Sequence, residues 1–193
     1  MSTHDTHTLW LVRHATPLVA KGICYGRLDV AAEASATRRA ADVLAAAAPW
    51  EARLVASPAR RCTALARLLH AARPDLRRTD NDPRILEMNF GAWEGRTWDA
   101  IGQTALDAWT NDFARHAPGG GETVEAFMAR VAVALDEARR HDGPTVWITH
   151  AGVIRAAGLL ARGIRSVAQA TDWPAAAPAF GRWKVMKLAA PAT

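Results

Sequence analysis

The chain has 193 residues, half of them apolar and 22% charged, so it is a globular protein with material for a sizeable core and not a disordered polymer. Its net charge of +5 and pI near 10.0 come almost wholly from arginines scattered beside apolar or acidic neighbours, as in Arg38-Arg39, Arg77-Arg78 and Arg139-Arg140. No Lys/Arg block with interleaved aromatics is present, which sets nucleic acid aside and leaves only a mild attraction for anionic substrates.

Residues 1–8 are polar and carry no apolar signal core, and no apolar run approaches the ~18 residues of a membrane span. The expectation is a cytoplasmic protein with no membrane partner. Leu9-Trp10-Leu11-Val12 then reads as a short buried strand, delivering Arg13-His14 at its C-terminal end. Thr16 to Val30 is a loop broken by Pro17, Gly22 and Gly26. Ala31 to Ala48 is an Ala-rich helix, ended by Pro49. Arg53-Leu54-Val55-Ala56 is a second strand, followed by Ser57-Pro58 and a helix over about Ala59–Ala72. That helix carries Leu65, Leu68 and Leu69 on its core face. Leu76 to Thr79 is expected as a third strand.

Residues 84–117 are rich in aromatics without strand alternation, which predicts a helical insertion, about 84–122, folded over the sheet rim. Pro118-Gly119-Gly120-Gly121 is a turn, and Thr123 is a candidate N-cap for a helix whose apolar stripe includes Val124, Phe127, Met128, Val131 and Leu135. Thr145 to Thr149 is a buried strand ending in His150. A helix over Gly152–Ala161 and an edge strand over Phe180–Leu188 complete the chain. Strands and helices alternate, so the expectation is an α/β three-layer αβα sandwich with a mainly parallel sheet, residues 1–193 forming one domain.

The chemistry lies at the strand ends. In open α/β sheets ligands bind outside the carboxyl ends of the strands. Two such junctions end on His14 and His150, Arg61 opens the helix after the second strand, and Glu87 sits in the aromatic loop. Two arginines (Arg13 and Arg61), two histidines and one glutamate on one rim suit a doubly charged phosphate, which guanidinium groups hold by forked hydrogen bonds. Helix N-termini behind Arg61 and His150 add backbone dipoles. No carboxylate cluster stands nearby to hold Mg²⁺, so no metal and no cofactor are expected. Cys24 and Cys62 have neither disulfide nor metal spacing and read as free thiols.

Leu11-Val12-Arg13-His14-Ala15-Thr16-Pro17 resembles the Arg-His-Gly signature of the histidine phosphatase superfamily, the group that includes phosphoglycerate mutase. Ser57-Pro58-Ala59-Arg60-Arg61-Cys62 is similar to that family's Ser-x-x-x-Arg element, and aligns Arg61 with its phosphate-binding arginine. Leu86-Glu87-Met88-Asn89-Phe90-Gly91-Ala92-Trp93-Glu94-Gly95, Pro118-Gly119-Gly120-Gly121-Glu122-Thr123 and Thr149-His150-Ala151-Gly152-Val153 follow in the family's order. The resemblance covers residues 9–155. It implies a phosphoglycerate mutase-like fold, His14 as a nucleophile forming phosphohistidine, and Arg13, Arg61 and His150 as ligands of the phosphoryl oxygens. Glu87 is implied as the acid that protonates the leaving alcohol. Attack needs a neutral His14, with a backbone carbonyl on its other ring nitrogen holding the tautomer. Desolvation by Phe90 and Trp93 would favour a protonated Glu87. Thr16, Tyr25, Gly26 and Ala151 are taken as substrate-binding.

The sequence departs from the family pattern where Ala15 and Ala151 replace glycine, each adding a methyl beside the phosphate and excluding positive φ. Ala31-Ala32-Glu33-Ala34 replaces the family's Leu-Thr-x-x-Gly, which should affect packing more than chemistry. Gly22-Ile23-Cys24-Tyr25-Gly26 and Pro118-Gly119-Gly120-Gly121-Glu122 look most like the α-ribazole-5′-phosphate phosphatase branch of cobalamin synthesis. The short chain favours hydrolysis over mutase chemistry. The readings kept are a metal-independent phosphomonoesterase acting on a small metabolite such as α-ribazole 5′-phosphate, a phosphoglycerate mutase, a protein phosphohistidine phosphatase, and a non-catalytic phosphoester-binding domain. A homodimer stays open. His4, His7, His70, His116 and His141 read as solvated, and Glu94 as structural.

Overall fold

The computed structural model describes residues 7–78 and 81–188. Their order is β1 (His7–Arg13), α1 (Ala34–Ala47), β2 (Arg53–Ala56), α2 (Arg60–Ala72), β3 (Arg77–Arg78), α3 (Trp98–Ile101), α4 (Gln103–Asn111), α5 (Val124–Arg140), β4 (Thr145–Thr149), α6 (Ala151–Leu160) and β5 (Trp183–Leu188). The strands form a sheet in the order β3-β2-β4-β1-β5, parallel except for β5, which runs antiparallel at the edge.

Side chains on adjacent strand residues face opposite sides of a sheet, and both sides here are covered. Leu9, Leu11, Val55 and Trp147 point into the layer made by α5 and α6. Val12, Leu54, Ala56, Val146 and Ile148 point into the layer made by α1 and α2. That two-sided burial is why β1 and β4 read as continuous apolar runs, and it yields the expected three layers. A third apolar cluster, of Cys24, Trp93 and Ile101 with Phe90, Trp98 and Trp109 against them, lies outside the two sheet layers. Main-chain bonds strap residues 22–24 to 95–98, among them Cys24 N to Arg96 O at 2.9 Å and Gly95 N to Cys24 O at 2.7 Å.

Three boundaries differ from expectation. Helix α1 starts at Ala34 because residues 31–33 are extended and bonded to 16–18, with Leu18 N on Ala31 O and Glu33 N on Thr16 O. Helix propensity alone cannot see that pairing. The third strand is only Arg77–Arg78, its expected last residue Thr79 lying outside the described residues. The last strand starts at Trp183, because Gly181 N turns to bond the Arg13 and His14 carbonyls, which brings Phe180 to the end of β1. Thr123 caps α5 as expected, its side chain accepting from Ala126 N at 3.0 Å. His70, His116 and His141 are half-buried, not fully solvated, with His70 Nδ1 buried and unpartnered, and His4 lies outside the described residues. No helix among the described residues is long and apolar enough to cross a membrane.

Candidate active site

The sheet ladder itself places the two histidines. Arg13 pairs with Thr149, and the ladder runs on one residue further, with His14 N donating to Thr149 O at 3.0 Å and Ser57 N to Ile148 O at 2.9 Å. The carboxyl ends of β1, β4 and β2 therefore bring His14, His150 and Ser57 together. The imidazoles of His14 and His150 stand edge to face, centroids 5.3 Å apart.

His14 is 2% exposed, and its Nδ1 donates to the Ala15 carbonyl at 2.7 Å. A carbonyl can only accept, so Nδ1 carries the proton and Nε2 keeps its lone pair. Burial, then the Arg61 charge, lower the His14 pKa from 6.5 to about 3; the bond to Ala15 works the other way, and Arg13 adds to the fall. The ring is neutral at any ordinary pH. His150 is fully buried and held well below the usual histidine range, by burial first and then by Arg61 and His14. Its Nε2 lies 2.8 Å from Ser57 Oγ, and its Nδ1 has no partner.

Arg61, in the first turn of α2, is fully buried, with Nη1 donating to Leu28 O at 2.9 Å and Nη2 to Gly26 O at 2.7 Å. Arg13 Nη1 donates to Pro178 O at 3.0 Å, and its guanidinium lies 3.8 Å over the Phe180 ring. Both arginines keep a buried Nε–H without a partner. With His150 Nδ1, that makes three unpartnered nitrogens on the side chains surrounding His14, a costly arrangement unless an anion completes it.

The Glu87 carboxyl is held at the start of α6: Oε2 accepts from Gly152 N at 3.0 Å and Oε1 from Met88 N at 3.1 Å. A helix N-terminus offers free N–H groups that suit a carboxylate. The structure places Phe90 and Trp93 in the aromatic cluster with Trp109. Glu94 is bonded to Arg27 N at 2.8 Å and Phe90 N at 2.9 Å, the structural role expected of it.

Of the residues taken as substrate-binding, Tyr25 lies beneath the Arg61 guanidinium at 5.3 Å, and burial raises its phenol pKa. Gly26 acts through its backbone: a Cβ there would sit 2.4 Å from Met88 O, and its carbonyl anchors Arg61. Thr16 lines a cleft of about 440 Å³ with Phe180 and Arg39. Ala151 opens α6 beside Gly152. Neither Ala15 nor Ala151 has positive φ, since Glu51 is the sole non-glycine residue with one among the described residues. Both alanines are therefore accommodated without backbone strain.

Sequence reasoning gives three neighbours of the site no role. Ser57 reads as one letter of a motif, but its bond to His150 needs the sheet register to be seen. Phe180, 37% exposed with its ring 5.5 Å from that of His14, reaches the site through a turn that no periodicity marks. Arg130 reads as an ordinary wet-face residue of α5, although its guanidinium donates to Glu87 O at 3.0 Å. Among the described residues no group of three or more His, Cys, Asp or Glu side chains could hold a metal ion.

The comparisons with known proteins follow the same lines. The model of the histidine phosphatase superfamily (branch 1) matches residues 9–173. No curated protein matches the chain significantly in sequence. Among solved structures, TTHB049 from Thermus thermophilus is 32% identical with a TM-score of 0.62, over 81% of this chain and 85% of that one. A mycobacterial glucosyl-3-phosphoglycerate phosphatase complexed with VO3 is 25% identical with a TM-score of 0.73, over 94% and 98%. An Escherichia coli K-12 protein assigned provisionally as an alpha-ribazole-5′-P phosphatase shares the fold at 23% identity, with a TM-score of 0.73 over 94% and 90%. A family model spanning most of the chain shows the relationship directly, and the chain belongs to the histidine phosphatase superfamily as a phosphatase of its branch 1.

Proposed function

We propose that the protein hydrolyses a small phosphomonoester through a phosphohistidine on His14, with residues 1–193 forming one catalytic unit and the segment 84–122 closing over it. The observation that carries this reading is the state of His14, a buried imidazole kept neutral, with its proton on Nδ1 and the charges of Arg61 and Arg13 acting on it. A nucleophile must enter with a free lone pair, and Nε2 has one.

In the first step Nε2 of His14 attacks phosphorus, and the bond from phosphorus to the ester oxygen breaks. That oxygen leaves with its electron pair and takes a proton from the Glu87 carboxyl, which becomes carboxylate. Arg13 and Arg61 carry N–H donors that lack partners, and His150 donates when its proton sits on Nδ1 and Ser57 Oγ donates to Nε2. Together they stabilise the negative charge on the three phosphoryl oxygens as the metaphosphate-like group passes from oxygen to nitrogen. In the second step water attacks the same phosphorus and gives its proton to Glu87. The phosphorus–nitrogen bond breaks, its electrons return to Nε2, and inorganic phosphate is released. The steps use no metal and no cofactor.

For the substrate, the segment Gly22–Gly26 and the Pro118–Glu122 turn favour α-ribazole 5′-phosphate, which would place the protein in cobalamin synthesis in the cytoplasm. Glucosyl-3-phosphoglycerate is the second reading, favoured by the mycobacterial neighbour that covers 94% of this chain. The test is hydrolysis of p-nitrophenyl phosphate in excess EDTA by wild type and His14→Ala, followed by the two candidate substrates. Activity that survives EDTA and vanishes in the variant supports the reading; activity that survives the substitution overturns it.

A further inference from the structure

We propose that Arg130, on α5, is a positioning residue for Glu87, fixing the main chain that carries the acid. The inference rests on the reading of Glu87 as the acid, and it assigns a role to a side chain outside the phosphoryl pocket.

A guanidinium has five N–H donors in one plane. All five of Arg130 are used. Nε donates to Glu122 Oε1 at 2.7 Å, Nη1 to Arg84 O at 2.8 Å and Leu86 O at 2.7 Å, and Nη2 to Glu87 O at 3.0 Å and Glu122 Oε2 at 2.9 Å. Three of the five therefore end on backbone carbonyls of one short segment, residues 84–87, which runs from the single 3-10 turn Pro83–Ile85 into the loop that carries the acid and belongs to no strand or α-helix. A planar fork that meets three carbonyls sets both the position and the tilt of that segment, as a flexible point charge cannot.

Glu122 completes the arrangement from the other side. Its Oε2 accepts from Asn89 N at 3.3 Å, just beyond the acid, and from Arg27 Nη2 at 3.3 Å. Arg27 Nε donates to Glu87 O at 3.3 Å, and the residue before it, Gly26, gives its carbonyl to Arg61. The main chain of the acid and the anchor of the phosphate-binding arginine thus share one hydrogen-bonded frame. The carboxyl end of Glu87 is held separately by Gly152 N and Met88 N. With Arg130 removed, the Arg84 and Leu86 carbonyls lose its donors and Glu87 O keeps only the longer 3.3 Å bond from Arg27 Nε, the nearest short tie left being Thr149 Oγ1 on Ile85 O at 2.7 Å. The backbone beneath the carboxyl is then held less tightly, and a shift of about 1 Å costs on the order of 10²-fold in a step that depends on orientation.

The test reads leaving-group dependence. p-Nitrophenolate leaves without a proton, and the alkoxide of glycerol 2-phosphate does not, so the ratio of kcat/KM for glycerol 2-phosphate to that for p-nitrophenyl phosphate reports proton donation. Glu87→Gln should lower this ratio about 10²-fold or more. Arg130→Met should lower it at least about tenfold, Arg130→Lys should not restore it, and the double variant should match Glu87→Gln because both act through one group. Arg130→Lys and Glu122→Gln carry the same test should Arg130→Met not fold. An Arg130 variant that slows both substrates in equal proportion overturns the inference, since the guanidinium then only supports the fold. A Glu87→Gln variant whose ratio is unchanged overturns the acid assignment itself.

Discussion

The substitution Gly152→Ala separates catalysis from stability by one methyl group. Gly152 is the second residue of α6, and a Cβ built on it meets Glu87 Oε1 at 2.2 Å, Cδ at 3.0 Å and Oε2 at 3.3 Å. Ordinary contact begins near 3.4 Å, so the carboxyl must retreat by about 1 Å and give up its 3.0 Å bond from Gly152 N. The clashing atoms are the far end of a flexible side chain, which makes the retreat cheap for the fold. Alanine also gains up to ~1 kcal/mol over glycine inside a helix. The melting temperature should therefore stay within about 4 °C of wild type, or rise. Activity should not survive as well: displacing an acid by ~1 Å costs on the order of 10²-fold, and the loss should fall on alkyl phosphates, whose leaving group needs the proton. The assay is kcat/KM on glycerol 2-phosphate beside thermal unfolding of the same preparation. An alkyl phosphatase activity within about threefold of wild type refutes the account of how Glu87 is seated.

The buried neutral histidines make stability depend on acid. His14 titrates near 3 folded and near 6.5 unfolded, so the unfolded chain binds the extra proton and stability, complete above about pH 6.5, is lost as pH falls toward 3. Between pH 7 and 5 denaturant unfolding should show a loss of about 2 kcal/mol from His14 alone, and His14→Asn should lose less by that amount; equal losses contradict the reading. Ser57→Ala removes the 2.8 Å partner of His150 Nε2 and should lower kcat/KM about tenfold, from a net ~1–1.5 kcal/mol; unchanged kinetics would show that the bond does no orienting. Burial pushes both thiols, Cys24 and Cys62, up to about 12, so neither should react with iodoacetamide at pH 8 until the protein unfolds. Fast alkylation of the native protein would contradict their burial.

Strands buried on both faces announce themselves, and β1, β2 and β4 are legible to within a residue or two because Leu9–Val12, Leu54–Ala56 and Val146–Ile148 are short apolar runs ending on polar groups. The same runs locate His14, Ser57 and His150, since a ladder carries its register into the first loop residue. What stays hidden depends on partners distant in the chain. The extended residues 31–33 look helical until their bonds to 16–18 are seen. Arg130 occupies a position next to the core stripe of Phe127 and Val131 that any solvated arginine could fill, and nothing local shows that it meets a loop more than forty residues earlier. Phe180 looks like a strand residue, and its place beside His14 follows from the Gly181 turn. Gly152 is visible in the sequence only as a motif letter; its lack of a side chain matters because Glu87 occupies the space.

The most direct measurement is to trap the covalent intermediate. Wild-type protein mixed with phosphorylated substrate, quenched in base within milliseconds and digested, should yield a phosphoryl group on the peptide containing His14. The label should be stable in alkali, lost in acid, absent from His14→Ala, and retained longer in Glu87→Gln, which lacks the base for the water step. A quench that catches phosphate on another residue, or active protein that never carries a phosphoryl group on His14, would contradict the central claim.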